Sequence, residues 1–435
     1  MDTAYFKEHF DQLQLAGTGS SLGTIRQHAF NTFNSLGIPT VKQEEWKYTR
    51  ISGLFNKDYQ FAVNPVISSV SAKELDKLRL PGHESANELV FVNGIFSFSL
   101  SAIRSAELLV LPLEEAASGE YKSIVSKHIG HSGQYQKDGI NALSTAFLHG
   151  GVFIYVKKGQ IPEHPVYIYH ISDSRKGNTF SQPRSLVQLA ENAQLQLVET
   201  FATIGAQESF TNHVIEITVE KDARLIYYKI QNDSISSSQV STTHICQTGS
   251  SHTHSVVISL NGSIVRNHLN VVFDAEHCES HLYGLYCLKG QTHADNHTVV
   301  DNAKPHCFSN ELYKGVLDGE ATGVFNGKIF VRRDAQKTNA YQSNKNILIS
   351  ETASVNAKPQ LEIFADDVKC SHGCTVGSLD EEALFYLRSR GLSKENAQSL
   401  LLEAFAIDIL ENITLMPIRR HVEKLISQRL ETDRA

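Results

Sequence analysis

Three textures of apolar and polar residues follow one another along the 435 residues. In the first, Tyr5, Phe6, Phe10, Leu13 and Leu15 recur near helical spacing. A second such run covers Ile25 to Leu36 before Gly37-Ile38-Pro39 breaks it. The spacing predicts an N-terminal helical domain over residues 1–87. Within it, Glu44-Glu45-Trp46-Lys47-Tyr48-Thr49 carries the chain's only tryptophan, expected as an apolar anchor between helices.

From residue 88 the period shortens. Leu89 to Val92, Asn93-Gly94 and Ile95 to Phe98 read as strand, turn and strand. A mixed, partly helical excursion is expected at 114–148, after which strand texture runs unbroken to about residue 370. Val152–Val156, Val166–Ile171, Leu186–Leu189 and Leu225–Tyr228 are examples. A polar or acidic residue followed by Ala recurs before extended stretches, at Ala193, Ala223, Ala275, Ala321 and Ala353. The intervals are unequal, which leaves a β-sandwich as a competitor. More than about 200 residues of strand without interleaved helices favours a coiled, solenoid-like stack over residues 88–375.

The third texture, residues 376–435, returns to helical spacing. Ser378-Leu-Asp-Glu381 looks like a capping box opening a helix from Glu381 to Arg390, with Gly391 as its terminator. An apolar stripe through Leu400, Leu401, Ala404, Ile407 and Leu410 predicts a second helix over 394–413. Pro417 is expected to start a third, with Ile418, Val422, Leu425, Ile426 and Leu430 on one side. These helices either close the end of the stack or dock a partner.

Charge and composition narrow the function. Forty basic against forty-seven acidic residues, with no dense basic tract, argue against nucleic acid or a membrane surface as partner. No apolar run approaches the ~18 residues of a membrane-spanning helix, and the N-terminus lacks the features of a secretory signal. A cytoplasmic location is expected. Cys246, Cys278, Cys287 and Cys307 are scattered without CxxC spacing, as buried thiols in a reducing compartment would be.

The densest chemistry is Val368-Lys-Cys-Ser-His-Gly-Cys-Thr-Val-Gly-Ser-Leu379. Thiolates beside an imidazole suit iron, zinc or an iron–sulfur centre. On a strand, Cys370, His372 and Cys374 share one face but stand about 6.6 Å apart per step. One metal wants about four ligands, so other rungs or another subunit must supply the rest. Nine of the twenty histidines lie between His244 and His306: these two with His252, His254, His268, His277, His281, His293 and His297. The pairs His277/His281 and His293/His297 would chelate zinc on a helix, but on a strand partners four apart are about 13 Å distant. They are expected to form polar ladders on an exposed sheet face, with room for one or two to line an iron or cofactor site. GxxxxGK[ST], GxGxxG and GxSxG are all absent, so any ATP hydrolysis belongs to a separate chain.

Asp367-Val-Lys-Cys-Ser-His-Gly373 resembles the SufB/SufD family of iron–sulfur cluster assembly proteins. So do Glu382-Ala-Leu-Phe-Tyr-Leu-Arg-Ser-Arg-Gly391, Gly327-Lys-Ile-Phe-Val331, Asp334-Ala-Gln-Lys-Thr338 and Gln342-Ser-Asn-Lys-Asn346. The length and the Glu-Glu-Trp-Lys-Tyr-Thr segment look like the SufD branch rather than the longer SufB. The resemblance implies a mainly β fold: a right-handed parallel β-helix flanked by N-terminal and C-terminal helical domains. It implies a non-catalytic scaffold in a complex with SufB and two copies of the ABC-type ATPase SufC, the C-terminal helices gripping SufC and the β-helix edge pairing with SufB. A homodimer is implied for the isolated chain. It places His372, with Cys370 beside it, at a transient iron–sulfur cluster site shared with SufB. Cys374 stands where the family usually has Ala, and a place for it at that site is open. Reduced flavin is also associated with such complexes, though no residue here marks a flavin site. The alternatives are a SufB-like homologue and a β-helix carbohydrate lyase.

Overall fold

The computed structural model describes residues 3–16, 21–61 and 70–430. Strand accounts for 40% and helix for 27%, and the strands wind into a β-solenoid of about eight turns with helices at both chain ends. Each turn gives one strand to each of two sheets. The first sheet climbs from Val152–Val156 through Arg184–Leu189, Ser209–Val219, Ser237–Gln247, Ile264–Phe273, His293–Asn302 and Thr322–Val331 to Ser354–Ala357. The second climbs from Val166–Asp173 through Gln194–Ile204, Arg224–Asn232, His252–Asn261, Glu279–Leu288, Phe308–Leu317 and Asn339–Leu348 to Lys369–Gly377. Every step in both climbs is parallel, and the register slips only between Gln231 and Asn232, where Arg224–Asn232 meets His252–Asn261.

The turns differ slightly in length. Thr253 and Ser280, on successive rungs, are 27 residues apart, whereas Glu311 and Gln342 are 31 apart. The corner before five of the second-sheet strands is the most regular. Asn192, Asp222, His277, His306 and Lys337 all take left-handed backbone there, with φ of 57–61°. The residue after each one is small and buried: Ala193, Ala223, Cys278, Cys307 and Thr338. Ala321 and Ala353 belong to a different corner, before the first-sheet strands, and Ala275 sits in a third position after one of them. The unequal Ala intervals therefore come from mixing separate columns of one regular coil.

The interior combines apolar and polar columns. Leu195, Leu197, Leu225, Leu282 and Val300 belong to one buried cluster. Beside them runs a hydrogen-bonded ladder in which the Asn267 amide donates to Gln231 (3.0 Å), Asn296 (3.1 Å) and Ser259 (3.3 Å). Such groups are tolerated inside because neighbouring rungs supply their partners.

Helices α1 (Thr3–Ala16), α2 (Gly23–Leu36) and α3 (Ala72–Asp76) precede the coil; α4 (Leu113–Ser118), α5 (Lys122–His128) and α6 (Gly139–Ala146) interrupt it. Phe6, Phe10, Phe30 and Phe33 pack with Ile140 and Leu143 onto Phe180, Phe210 and Val240 of the first sheet. Trp46 is not confined between helices. Its ring lies under the Arg266 guanidinium, and its Nε1 donates to Asp138 (3.2 Å), which ties the N-terminal segment to the coil.

Three helices end the chain: α7 (Glu381–Ser389), α8 (Lys394–Leu410) and α9 (Met416–Leu430). The capping residue of α7 is Asp380, not Ser378. Its carboxylate accepts from the amides of Glu382 and Ala383, whereas Ser378 stands too far ahead of the first turn to reach them. Leu402, Ala406, Ile409, Ile418, Val422 and Ile426 cover Tyr228, Ile230, Val256, Ile258 and Leu285 on the outer face of the second sheet. Each Leu, Ile or Val among them contributes about 1.5–3 kcal/mol by leaving water.

Candidate functional site at the open end of the coil

Among the described residues, the strand Lys369–Gly377 is the last of the second sheet and pairs only with Asn339–Leu348. Ala340, Gln342, Asn344 and Asn346 alternate as the buried residues of that neighbour. Cys370 is in register with Ala340, His372 with Gln342 and Cys374 with Asn344. The three candidate ligands thus extend the interior columns by one rung. With no further rung above them, His372 and Cys374 are exposed and Cys370 is half-buried against the apolar interior.

The chemistry beneath them is polar. The Cys374 thiol contacts Asn344 Oδ1 at 3.7 Å, and the Asn344 amide donates to the Tyr286 hydroxyl at 3.1 Å. The Gln342 amide donates to Glu311 at 2.8 Å. Burial pushes the Glu311 carboxyl up to about 7. Burial also raises the Cys370 and Cys374 thiols, so neither is activated as a thiolate before a metal or partner arrives. Alternate residues on a strand lie about 6.6 Å apart, so this edge offers one or two ligands to a given metal and leaves the other positions open.

The nine histidines divide between covered and open parts of the coil's outer surface rather than forming ladders on an exposed face. His244, His268 and His297 lie on the outer face of the first sheet but are buried, covered there by Tyr135, Trp46 and Glu45 respectively. His268 and His297 are in register, and His297 Nε2 meets Asp295 at 2.9 Å. On the outer face of the second sheet, His252 and His281 flank Glu279 at 3.3 and 2.7 Å, and His254 meets the Asn412 carbonyl at 2.7 Å. His293 meets Thr49 at 2.8 Å. His277 and His306 hold left-handed corner positions and stack with ring centres 5.0 Å apart. They line a surface pocket of about 460 Å³ that reaches Asp367 and Lys369.

One group escapes any reading by spacing. His170 and His213 approach the same Glu199 oxygen at 2.9 and 3.0 Å, and Tyr227 donates to the other at 2.5 Å. Among the described residues this is the one cluster of three His, Cys, Asp or Glu donors close enough for a metal ion, and all three are buried. Burial alone would raise the Glu199 carboxyl, but its histidine partners hold it well below the usual range. Only the fold brings these three rungs together, so no sequence motif announces them.

The model of the SufBD core domain of the SUF iron–sulfur assembly system matches residues 170–405, and that of the SufBD N-terminal region matches residues 3–168. The chain belongs to the SufBD family. A SufBD family protein of Synechocystis is 31% identical over 96% of this chain and 94% of its own length. The SufD protein of Escherichia coli is 30% identical over 91% of this chain and 90% of its own. The SufD protein of Bacillus subtilis is 25% identical over 72% of each. This SufBD chain is accordingly a component of iron–sulfur cluster assembly and a homologue of SufD. Among its described residues, no helix is long and apolar enough to cross a membrane.

Proposed function

We propose that this SufBD chain is a non-catalytic scaffold subunit that pairs with a SufB-like protein and docks a SufC-like ABC ATPase. The observation that carries the reading is the uncapped last rung. It places Cys370 and His372 on a strand edge whose other side is free to meet a partner. Iron and sulfide are the cargo there, and the nascent cluster takes ligands from both chains. A neutral imidazole suits iron as a borderline ligand and releases it more readily than a further thiolate would. Cys374 supplies a second thiol one step farther along the edge. Tyr341, Ile363, Phe364 and Val376 are exposed at this end and supply apolar area for the pairing.

The ATPase-docking surface is assigned to residues 376–435. Phe385 and Tyr386 are 74% and 56% exposed on α7, and Leu400 and Ile407 are exposed on α8, away from the sheet these helices cover. Because α8 and α9 are bound to the second sheet by Lys314, Tyr228 and Cys287, a pull on the helices reaches the strands that end at His372.

The test is iron and acid-labile sulfide per complex after anaerobic co-expression with SufB and SufC, for wild type and His372→Ala. Both are expected to assemble, with cluster only in the wild type. Equal cluster content would move the chemistry wholly onto the partner.

A further inference from the structure

The column Glu311, Gln342, His372 occupies three successive rungs in register. Gln342 is 3% exposed and its Nε2 donates to Glu311 Oε2 at 2.8 Å, yet its Oε1 is buried with no partner among the described residues. An unpaired buried acceptor is costly, so a donor is called for. The position is also reserved from the opposite sheet. A Cβ on Gly327 would lie 2.2 Å from Gln342 Nε2 and 2.7 Å from its Cδ, so glycine there leaves the amide its place. Above the amide is His372, exposed and one strand spacing, about 4.8 Å, away.

We infer that Gln342 is a positioning residue for His372: its Oε1 accepts a ring N–H, which fixes the tautomer and turns the other ring nitrogen, lone pair first, toward the open edge. This deepens the assignment of His372 under the proposed function and rests on it. Metal-binding histidines commonly use their second ring nitrogen in this way, and the acceptor sets both orientation and basicity. Glu311 completes the device. Ionised, its carboxylate only accepts, so it takes the NH2 end of the amide and leaves Oε1 for the imidazole. Two of the segments that carry the family resemblance, Gly327–Val331 and Gln342–Asn346, thereby acquire a shared purpose.

The experiment uses the full chain with 15N-labelled histidine at pH 8, where Glu311 is ionised, and long-range 15N–1H spectra of the imidazoles. The His372 signal is assigned by its absence in His372→Gln. Wild type is expected to show a single tautomer. Gln342→Leu and Gly327→Ala are expected to show the mixture of an unrestrained imidazole, and Gln342→Glu, which keeps an acceptor, to restore the single form. An unchanged His372 spectrum in Gln342→Leu overturns the inference; should that variant not fold, the same result in Gly327→Ala does so. In the complex with SufB and SufC, Gln342→Leu is expected to weaken iron(II) binding by about 10–100-fold while assembly is kept. Unweakened binding also overturns the inference. If His372→Ala keeps its full cluster content, the site assignment fails instead, and the tautomer result stands apart from it.

Discussion

The guanidinium carbon of Arg266 lies 3.9 Å from the centre of the Trp46 ring. The same guanidinium is paired with the buried Asp295 carboxylate and donates to the Glu45 carbonyl at 2.6 Å. One cation thus joins the N-terminal segment to the first sheet through a ring face, a charge and a backbone oxygen.

Removing that cation strands the buried Asp295 carboxylate between the first sheet and the N-terminal segment. Arg266→Met is expected to cost about 3–5 kcal/mol, because an uncompensated buried charge remains. Trp46→Phe keeps an aromatic face and is expected to cost less. Chemical denaturation of the two variants checks this; an Arg266→Met loss below about 1 kcal/mol would show that Asp295 is neutral or finds another partner.

Two buried groups give stability opposite pH slopes. Burial holds the His244 imidazole down to about 4, whereas in the unfolded chain it titrates near 6.5. Unfolded chains take up the proton first, so its share of stability is whole above pH 6.5 and is lost as pH falls toward 4, about 3 kcal/mol in all. Glu311 behaves in reverse. Its folded value of about 7 exceeds the unfolded one, so stability falls as pH rises from about 4.5 to 7. Glu311→Gln is therefore expected to raise the unfolding midpoint at pH 8 and to change it little near pH 4. Thermal melts across that range decide, and a destabilised variant at pH 8 would count against the assignment.

The upper interior is filled by tyrosines that depend on glycines facing them. A Cβ on Gly284 would stand 2.1 Å from the Tyr313 ring, and one on Gly315 would stand 2.2 Å from Tyr286. Gly284→Ala and Gly315→Ala are each expected to cost about 1–3 kcal/mol by overpacking. Pairing Gly284→Ala with Tyr313→Leu should recover part of the loss in a denaturation series, and no recovery would place the strain elsewhere.

Lys314 reaches from the second sheet to α8, donating to Asp408 at 2.6 Å and to the Phe405 carbonyl at 2.8 Å. Lys314→Met is expected to speed amide exchange in α8 and α9 while leaving the first sheet unchanged. Hydrogen-exchange mass spectrometry reads the two regions separately. Uniform change across the chain would mean that the helices and coil unfold as one unit.

Much of this architecture was legible in the sequence, and the exceptions have physical causes. Period-2 strands, the helix start at Glu381 and the Cys-Ser-His edge are local patterns, and local patterns survive in a linear reading. The coil's true period did not, because Ala193 and Ala223 belong to one corner while Ala321 and Ala353 belong to another. Interior partnerships such as His170–Glu199–His213 were invisible, since each member is unremarkable until three rungs are stacked. Gln342 reads as one more polar residue until Gly327 is seen across from it.

The uncapped rung has a cost beyond the chemistry it displays. A strand with unpaired backbone groups is a template that any matching strand can extend, including that of another copy. Charged Lys369 at its start and glycines at 373 and 377 make it a poor general template. Supply of the proper partner then becomes a matter of protein homeostasis. A cell that makes this chain in excess carries a surplus of open ends, so matched synthesis of the subunits protects solubility as well as activity.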